Sequence, residues 1–156
     1  MRRLLAAAWL LAMALSSPAL AETRLDTALN VSQGAVGSSV PDFTFQSAGN
    51  GKIALRDLRG KPLLVTMIYT GCADVCPTII ESLAVAAETA EDALGEGSFN
   101  IITIGFDTRN DTPDRMRSFA RAHDAGGDNW HFASSDTKTI DRLSEAVGFN
   151  FFPSAG

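Results

Sequence analysis

The chain has 156 residues, of which 46% are hydrophobic and 20% charged, with a formal net charge of −5 and only two cysteines and two histidines. That length supports one domain with a substantial core, and no internal repeat or low-complexity tract divides it. The acidic balance excludes a basic nucleic-acid-binding surface.

Arg2 and Arg3, the apolar run of residues 4–15, Ser16-Ser17-Pro18 and Ala19-Leu20-Ala21 form a secretory signal that ends in an Ala-x-Ala cleavage site before Glu22. Removing residues 1–21 leaves 135 residues and, by taking away two arginines and no acid, moves the net charge from −5 to −7. An uncleaved segment would instead anchor the chain in the inner membrane, facing the periplasm. Against this, Ser16-Ser17-Pro18 cuts the apolar run below the roughly 20 residues a membrane span needs. Export gives the cysteines a meaning, because an oxidising compartment permits a disulfide.

Residues 22–39 are polar and weakly periodic, which predicts a flexible leader before a domain over 40–156. Val40-Pro41-Asp42-Phe43-Thr44-Phe45 alternates as an edge strand would, Gly49-Asn50-Gly51 is a turn, and Ile53-Ala54-Leu55 begins a return strand. Residues 63–69 then form a continuous, partly β-branched run, the pattern of a parallel strand covered on both faces. Gly71 ends it. Pro77 suits the first turn of a helix whose Ile79, Ile80, Leu83, Ala84, Ala87 and Leu94 recur at helical spacing up to Gly95.

A second buried strand is expected over residues 100–107. Thr112-Pro113-Asp114 is a helix start, with Met116, Phe119 and Ala120 facing inward and an end near Gly126-Gly127. Trp130-His131-Phe132-Ala133 reads as a third strand. Ser135 or Asp136 caps a last helix, with Ile140, Leu143, Ala146 and Val147 inward and a stop at Gly148. Alternating strands and helices predict an α/β fold with a parallel or mixed sheet, whose sites form at the carboxyl ends of strands.

Cys72 and Cys76 sit at such an end, on the turn from strand to helix. Unpaired N–H groups and the positive end of the helix dipole favour a thiolate there. Four helical steps rise about 6 Å, within the Cα separation a disulfide tolerates. The same two sulfurs suit one soft metal ion. A purely structural bridge closing so short a loop would remove little entropy from the unfolded chain, so a functional pair is favoured over an inert one. Asp74, between the cysteines, either adds negative charge that attracts a cation or is a solvated loop acid. Asp107 and Asp111 lie after the next strand and should reach the same rim. Asp107 then orders a loop of the site or contacts a partner, and Asp111 reads as a helix cap.

The motifs Val40-Pro-Asp-Phe-Thr-Phe45, Leu58-Arg-Gly-Lys-Pro-Leu-Leu-Val65, Tyr69-Thr-Gly-Cys-Ala-Asp-Val-Cys-Pro77 and Asp107 followed by Asp111-Thr-Pro113 resemble, in order and spacing, the Sco/SenC family of copper proteins. That family serves cytochrome c oxidase assembly. The resemblance covers roughly residues 40–152. It implies a thioredoxin-like fold with a central mixed sheet, Cys72 and Cys76 as copper-binding thiolates, and a Cys72–Cys76 disulfide that switches binding off. It implies a periplasmic chaperone, not an enzyme, that brings Cu(I) or Cu(II) to the copper-bearing oxidase subunit, keeps its thiols reduced, or serves another periplasmic copper or thiol protein.

This chain departs from the family at two points. The family's third ligand is a histidine beyond the segment matching Val147-Gly-Phe-Asn-Phe-Phe-Pro153, and the sequence stops at Gly156 before it and before the strands that follow it. Those strands would pair beside residues 63–69, so the run is expected to lie on an open edge and the fold to lack its C-terminal strands. His123 and His131 are expected to be surface or packing residues. Thr108 stands where the family has proline, which is expected to loosen the Asp107 loop. The alternatives are a thiol–disulfide oxidoreductase of the same fold, then a peroxidase, then a binding module with an inert bridge.

Overall fold

In the computed structural model, residues 19–151 are described, so the signal sequence before Ala19 and the segment from Phe152 onward lie outside them. Residues 41–143 form one compact unit, and residues 19–40 with 144–151 a second.

The larger unit is built on a five-stranded mixed sheet. Its strands are β1 (Thr44–Ser47), β2 (Lys52–Ala54), β3 (Leu63–Ile68), β4 (Asn100–Gly105) and β5 (Trp130–Ser134), in the spatial order β2-β1-β5-β4-β3. β3, β4 and β5 are parallel, with Leu63 beside Asn100 and Ile68 beside Gly105, and β1 runs antiparallel to both β2 and β5. The helices are α2 (Val75–Leu94), α3 (Pro113–Ala122) and α4 (Thr137–Val147), numbered after α1 (Ala19–Gly34).

Helix boundaries follow local chemistry. Thr112 accepts a hydrogen bond from the Arg115 N–H at 3.3 Å, and Pro113 opens α3. Asp136 Oδ1 accepts from the Thr139 N–H at 2.9 Å before α4. Gly148, at φ +68°, ends α4 where the periodicity stops.

The strands follow one another along the chain as expected but shift in extent, and β1, expected at an edge, lies between β2 and β5 because it pairs with both. β1 begins at Thr44 instead of Val40, and the return strand ends at Ala54, where a 3-10 turn, Leu55–Leu58, takes over. Asp57 drives that switch by accepting from the Ala54 N–H at 3.0 Å, while Asp42 accepts from the Arg56 N–H at 2.9 Å. α2 begins at Val75, two residues before Pro77. α3 ends at Ala122, ahead of the expected glycine pair, because Asp124 takes φ +47° and turns the chain.

Burial on both faces belongs to β4. Ile101, Ile102, Thr103 and Ile104 are all buried, and Trp130 Nε1 donates to Thr103 Oγ1 at 2.9 Å inside the core. β3 is the edge strand among the described residues, with Leu64 46% exposed, so its apolar run is covered less than its composition predicts. One core cluster joins Ile68, Cys76, Ile80, Ile101, Met116, Phe119, Trp130 and Phe132. It reaches the carboxyl end of β3 through Cys76.

In the smaller unit, residues expected to form a flexible leader are helical over Ala19–Gly34. A Cβ on Gly148 would come within 2.8 Å of Ser32 Cα and 2.9 Å of Ala35 Cβ, so glycine is required there by close approach as well as by its positive φ. The Phe149 and Phe151 rings stack at 5.7 Å.

Candidate functional site

β3 ends at Ile68, and Tyr69-Thr70-Gly71 carries the chain over the sheet rim to Cys72. The Cys72 N–H bonds the Tyr69 carbonyl at 3.1 Å, which closes a tight turn and aims the Cys72 side chain back at the start of α2. There the Cys76 N–H donates to Cys72 Sγ at 3.3 Å. This bond, aided by the N–H groups of Asp74 and Val75, lowers the Cys72 thiol from the usual 9.0 to about 7. The sulfur occupies the anion position of a helix N-terminus.

Cys76 stands in the opposite environment. It is 8% exposed within the core cluster, and burial raises its pKa. Both cysteines are free thiols in this structure. The pair thus divides into an accessible thiol that ionises near neutrality and a buried one that stays protonated. Tyr69 stands beside them, its hydroxyl pKa raised chiefly by a hydrogen bond to Cys72, and its ring lies 5.5 Å from Phe106 on the next strand's end.

Asp74 is exposed and precedes α2 without a side-chain cap; its carbonyl accepts from the Thr78 hydroxyl at 2.9 Å. Asp107 orders its own turn, with Oδ2 accepting from Asn110 Nδ2 at 2.7 Å and Oδ1 from the Arg109 N–H at 3.3 Å. Thr108, expected to loosen this loop, bonds Thr137 through its hydroxyl at 2.8 Å and so ties the loop to the start of α4.

Asp111 is the residue that local pattern misassigned. Thr112 is the cap; Asp111 is 2% exposed, with Oδ1 accepting from both the Thr70 N–H at 2.8 Å and the Thr70 hydroxyl at 2.7 Å. Its Oδ2 accepts from the Asp107 N–H at 2.9 Å. Glycine at 105 makes room for it, since a Cβ there would overlap Asp111 Cβ and come within 2.8 Å of Met116 Sδ.

Neither histidine joins the thiols. His123 Nδ1 pairs with Glu81 Oε1 at 3.2 Å and its ring lies 4.5 Å from Phe119. His131 lies on β5, its pKa lowered by burial, and lines a cavity with Arg117 and Arg121. Among the described residues, no group of three or more His, Cys, Asp or Glu side chains converges as a metal site.

A pair of cysteines four residues apart, at the carboxyl end of a parallel strand and the start of the following helix, defines a dithiol protein of thioredoxin-like architecture. The chain belongs to the SCO1/SenC family, whose model matches residues 32–146. It is 29% identical over 94 residues to the SCO1 protein homolog of Bacillus subtilis, covering 60% of this chain and 47% of that protein, so it spans about half of that relative's length. It is also 26% identical over 152 residues to a Stutzerimonas stutzeri protein named as copper-binding, covering 92% and 70% of the two chains. Among solved structures, Bradyrhizobium japonicum ScoI with copper bound aligns at 28% identity and a TM-score of 0.57, over 69% of this chain and 65% of that one.

Proposed function

We propose that this protein is an exported copper chaperone of cytochrome c oxidase assembly, which carries copper on Cys72 and Cys76 and releases it, or keeps its target's thiols reduced, by cycling through a Cys72–Cys76 disulfide. The observation that carries the reading is the Cys72 sulfur held by the Cys76 N–H at the start of α2, where a thiolate forms near neutral pH. Two soft sulfur donors fit Cu(I); Cu(II) calls for a further nitrogen ligand, and no described histidine stands beside them. The copper-bound ScoI relative and the oxidase role implied by the family resemblance support this choice of metal and target.

Transfer to a partner needs an accessible surface around the thiols. Tyr69, Val75 and Ile79 provide one, exposed at 37%, 62% and 46% beside the dithiol turn. Val75 and Ile79 are four residues apart and share a helix face. An apolar rim of this kind suits docking of another protein. No helix among the described residues is long and apolar enough to cross a membrane; residues 1–21 carry the export reading by their composition.

The test is anaerobic Cu(I) titration of the reduced protein beside Cys72→Ser and Cys76→Ser. One copper per chain, lost in both variants, is expected. A folded wild-type protein that binds none would overturn the copper reading.

The unequal thiols favour one second reading, a thiol–disulfide oxidoreductase in which Cys72 attacks a partner disulfide and Cys76 resolves the mixed disulfide. Disulfide turnover in metal-free buffer, without stoichiometric copper binding, would select it.

A further inference from the structure

The buried carboxylate of Asp111 makes no hydrogen bond to either sulfur, although its charge is a lesser cause of the raised Cys76 pKa, and it takes three hydrogen bonds from the segments that end β3 and β4. Two come from Thr70, two residues before Cys72, and one from the N–H of Asp107. Thr70 lies past the end of β3 and Asp107 past the end of β4, so the carboxylate spans the rim between neighbouring parallel strands. Its setting is built for it, because only glycine at 105 leaves room for the Asp111 side chain.

On its strand side the dithiol turn is also held by the Tyr69 ring, 5.5 Å from that of Phe106, and by the Phe106 N–H, which donates to the Ile68 carbonyl at 2.9 Å. The Cys72 N–H bonds back to Tyr69, which is internal to the turn, whereas the Thr70 contacts fasten the turn to the next loop. Hydrogen bonds to an ionised acceptor are the stronger class, and a buried donor left without one loses the full benefit.

We propose that Asp111 is a positioning residue for the dithiol: its carboxylate locks the Thr70 end of the cysteine turn to the Asp107 loop, so that turn and loop hold one geometry in which the two sulfurs can meet. This rests on the reading of Cys72 and Cys76 as the working pair, whichever of copper carriage or disulfide exchange they perform. Closing a disulfide is an intramolecular step, and its equilibrium follows the effective concentration of one thiol at the other. A turn released from Asp111 samples more conformations. Its two thiols then form a disulfide less readily.

The experiment equilibrates the full chain with mixtures of oxidised and reduced glutathione. In that exchange the glutathione S–S bond breaks, the Cys72–Cys76 S–S bond forms, and the two thiol hydrogens leave on two reduced glutathiones. Asp111→Asn keeps an oxygen for Thr70 but presents an amide that cannot accept from the Asp107 N–H. Thr70→Val keeps the backbone bond and loses only the hydroxyl. In the folded state, the constant for disulfide formation is expected to fall about tenfold in Asp111→Asn and about threefold in Thr70→Val, in line with losing a bond to a charged group and a weaker one.

Hydrogen exchange at the Thr70 and Asp107 amides should quicken together in Asp111→Asn, while amides of β4 keep their protection. Constants equal to wild type in both folded variants would overturn the proposal. If Asp111→Asn does not fold, Thr70→Val decides alone. Cu(I) binding by the wild type is scored separately, so a failure of the copper reading and a failure of this one give different results.

Discussion

Cys72 and Cys76 part company because one sulfur meets backbone N–H groups and the other meets the core. The first therefore favours its anion and the second its neutral form. Iodoacetamide labelling should rise with pH to half its maximum near 7 at Cys72, read by mass spectrometry, with Cys76 labelled only at higher pH. The same shifts act on stability. The lowered Cys72 contributes fully above its ordinary 9.0 and loses that contribution as pH falls through about 7. Cys76 works the other way, favouring the fold while neutral and losing that advantage as pH rises through its raised value. Labelling of both cysteines in parallel across the range would contradict the asymmetry. The position of this pair was legible from the apolar run, Gly71 and the helical periodicity beyond Pro77. Asp111 was not, because its partner Thr70 lies 41 residues away and the pattern Asp-Thr-Pro is the same whether the acid caps a helix or spans two strands.

At the level of elements, the parts fixed by neighbours in sequence came through, and the parts fixed by distant partners moved. Thr112 and Asp136 cap as their spacing predicts. β1 slid toward Ser47 because its pairing with Ala133 and Ser134 of β5 sets its extent, which the alternation of residues 40–45 does not contain. α1 occupies a stretch whose composition reads as a leader, since its helical pattern is weak and most of its described side chains are exposed. Two threonines measure the difference between local and long-range determination. Thr112→Ala removes a cap at an exposed helix start and should cost about 1 kcal/mol in urea unfolding. Thr103→Val leaves the buried Trp130 indole N–H without its acceptor and should cost about 1–3 kcal/mol, the larger loss of the two. Equal losses would mean that the Trp130 contact carries no more than a surface cap.

Across the whole sheet, the alternation of strands and helices was enough to predict a mixed α/β architecture, and among the described residues β3 lies at the edge of that sheet. What the apolar run over residues 63–69 did not reveal is how unevenly that strand is covered: Ile68 is fully buried where the Cys76 helix begins, while Leu64 is 46% exposed. β4, one position inward, takes the double burial in its stead. Among the described residues β3 is an edge strand that shows leucine and no charge, and an edge of that kind pairs readily with another extended chain. Leu64→Lys should therefore lower self-association, measured as a fall in weight-average mass by sedimentation or light scattering at high protein concentration. Its effect on unfolding should stay small, because the side chain is half exposed already and its neighbour Ile101 is buried by other contacts. The substitution lies at the far end of β3 from Thr70 and leaves the dithiol turn untouched, so Cu(I) stoichiometry and the glutathione equilibrium should match wild type. If association is unchanged while both thiol measurements hold, the contacts between copies run through another surface, and the apolar rim of Tyr69, Val75 and Ile79 becomes the next to alter.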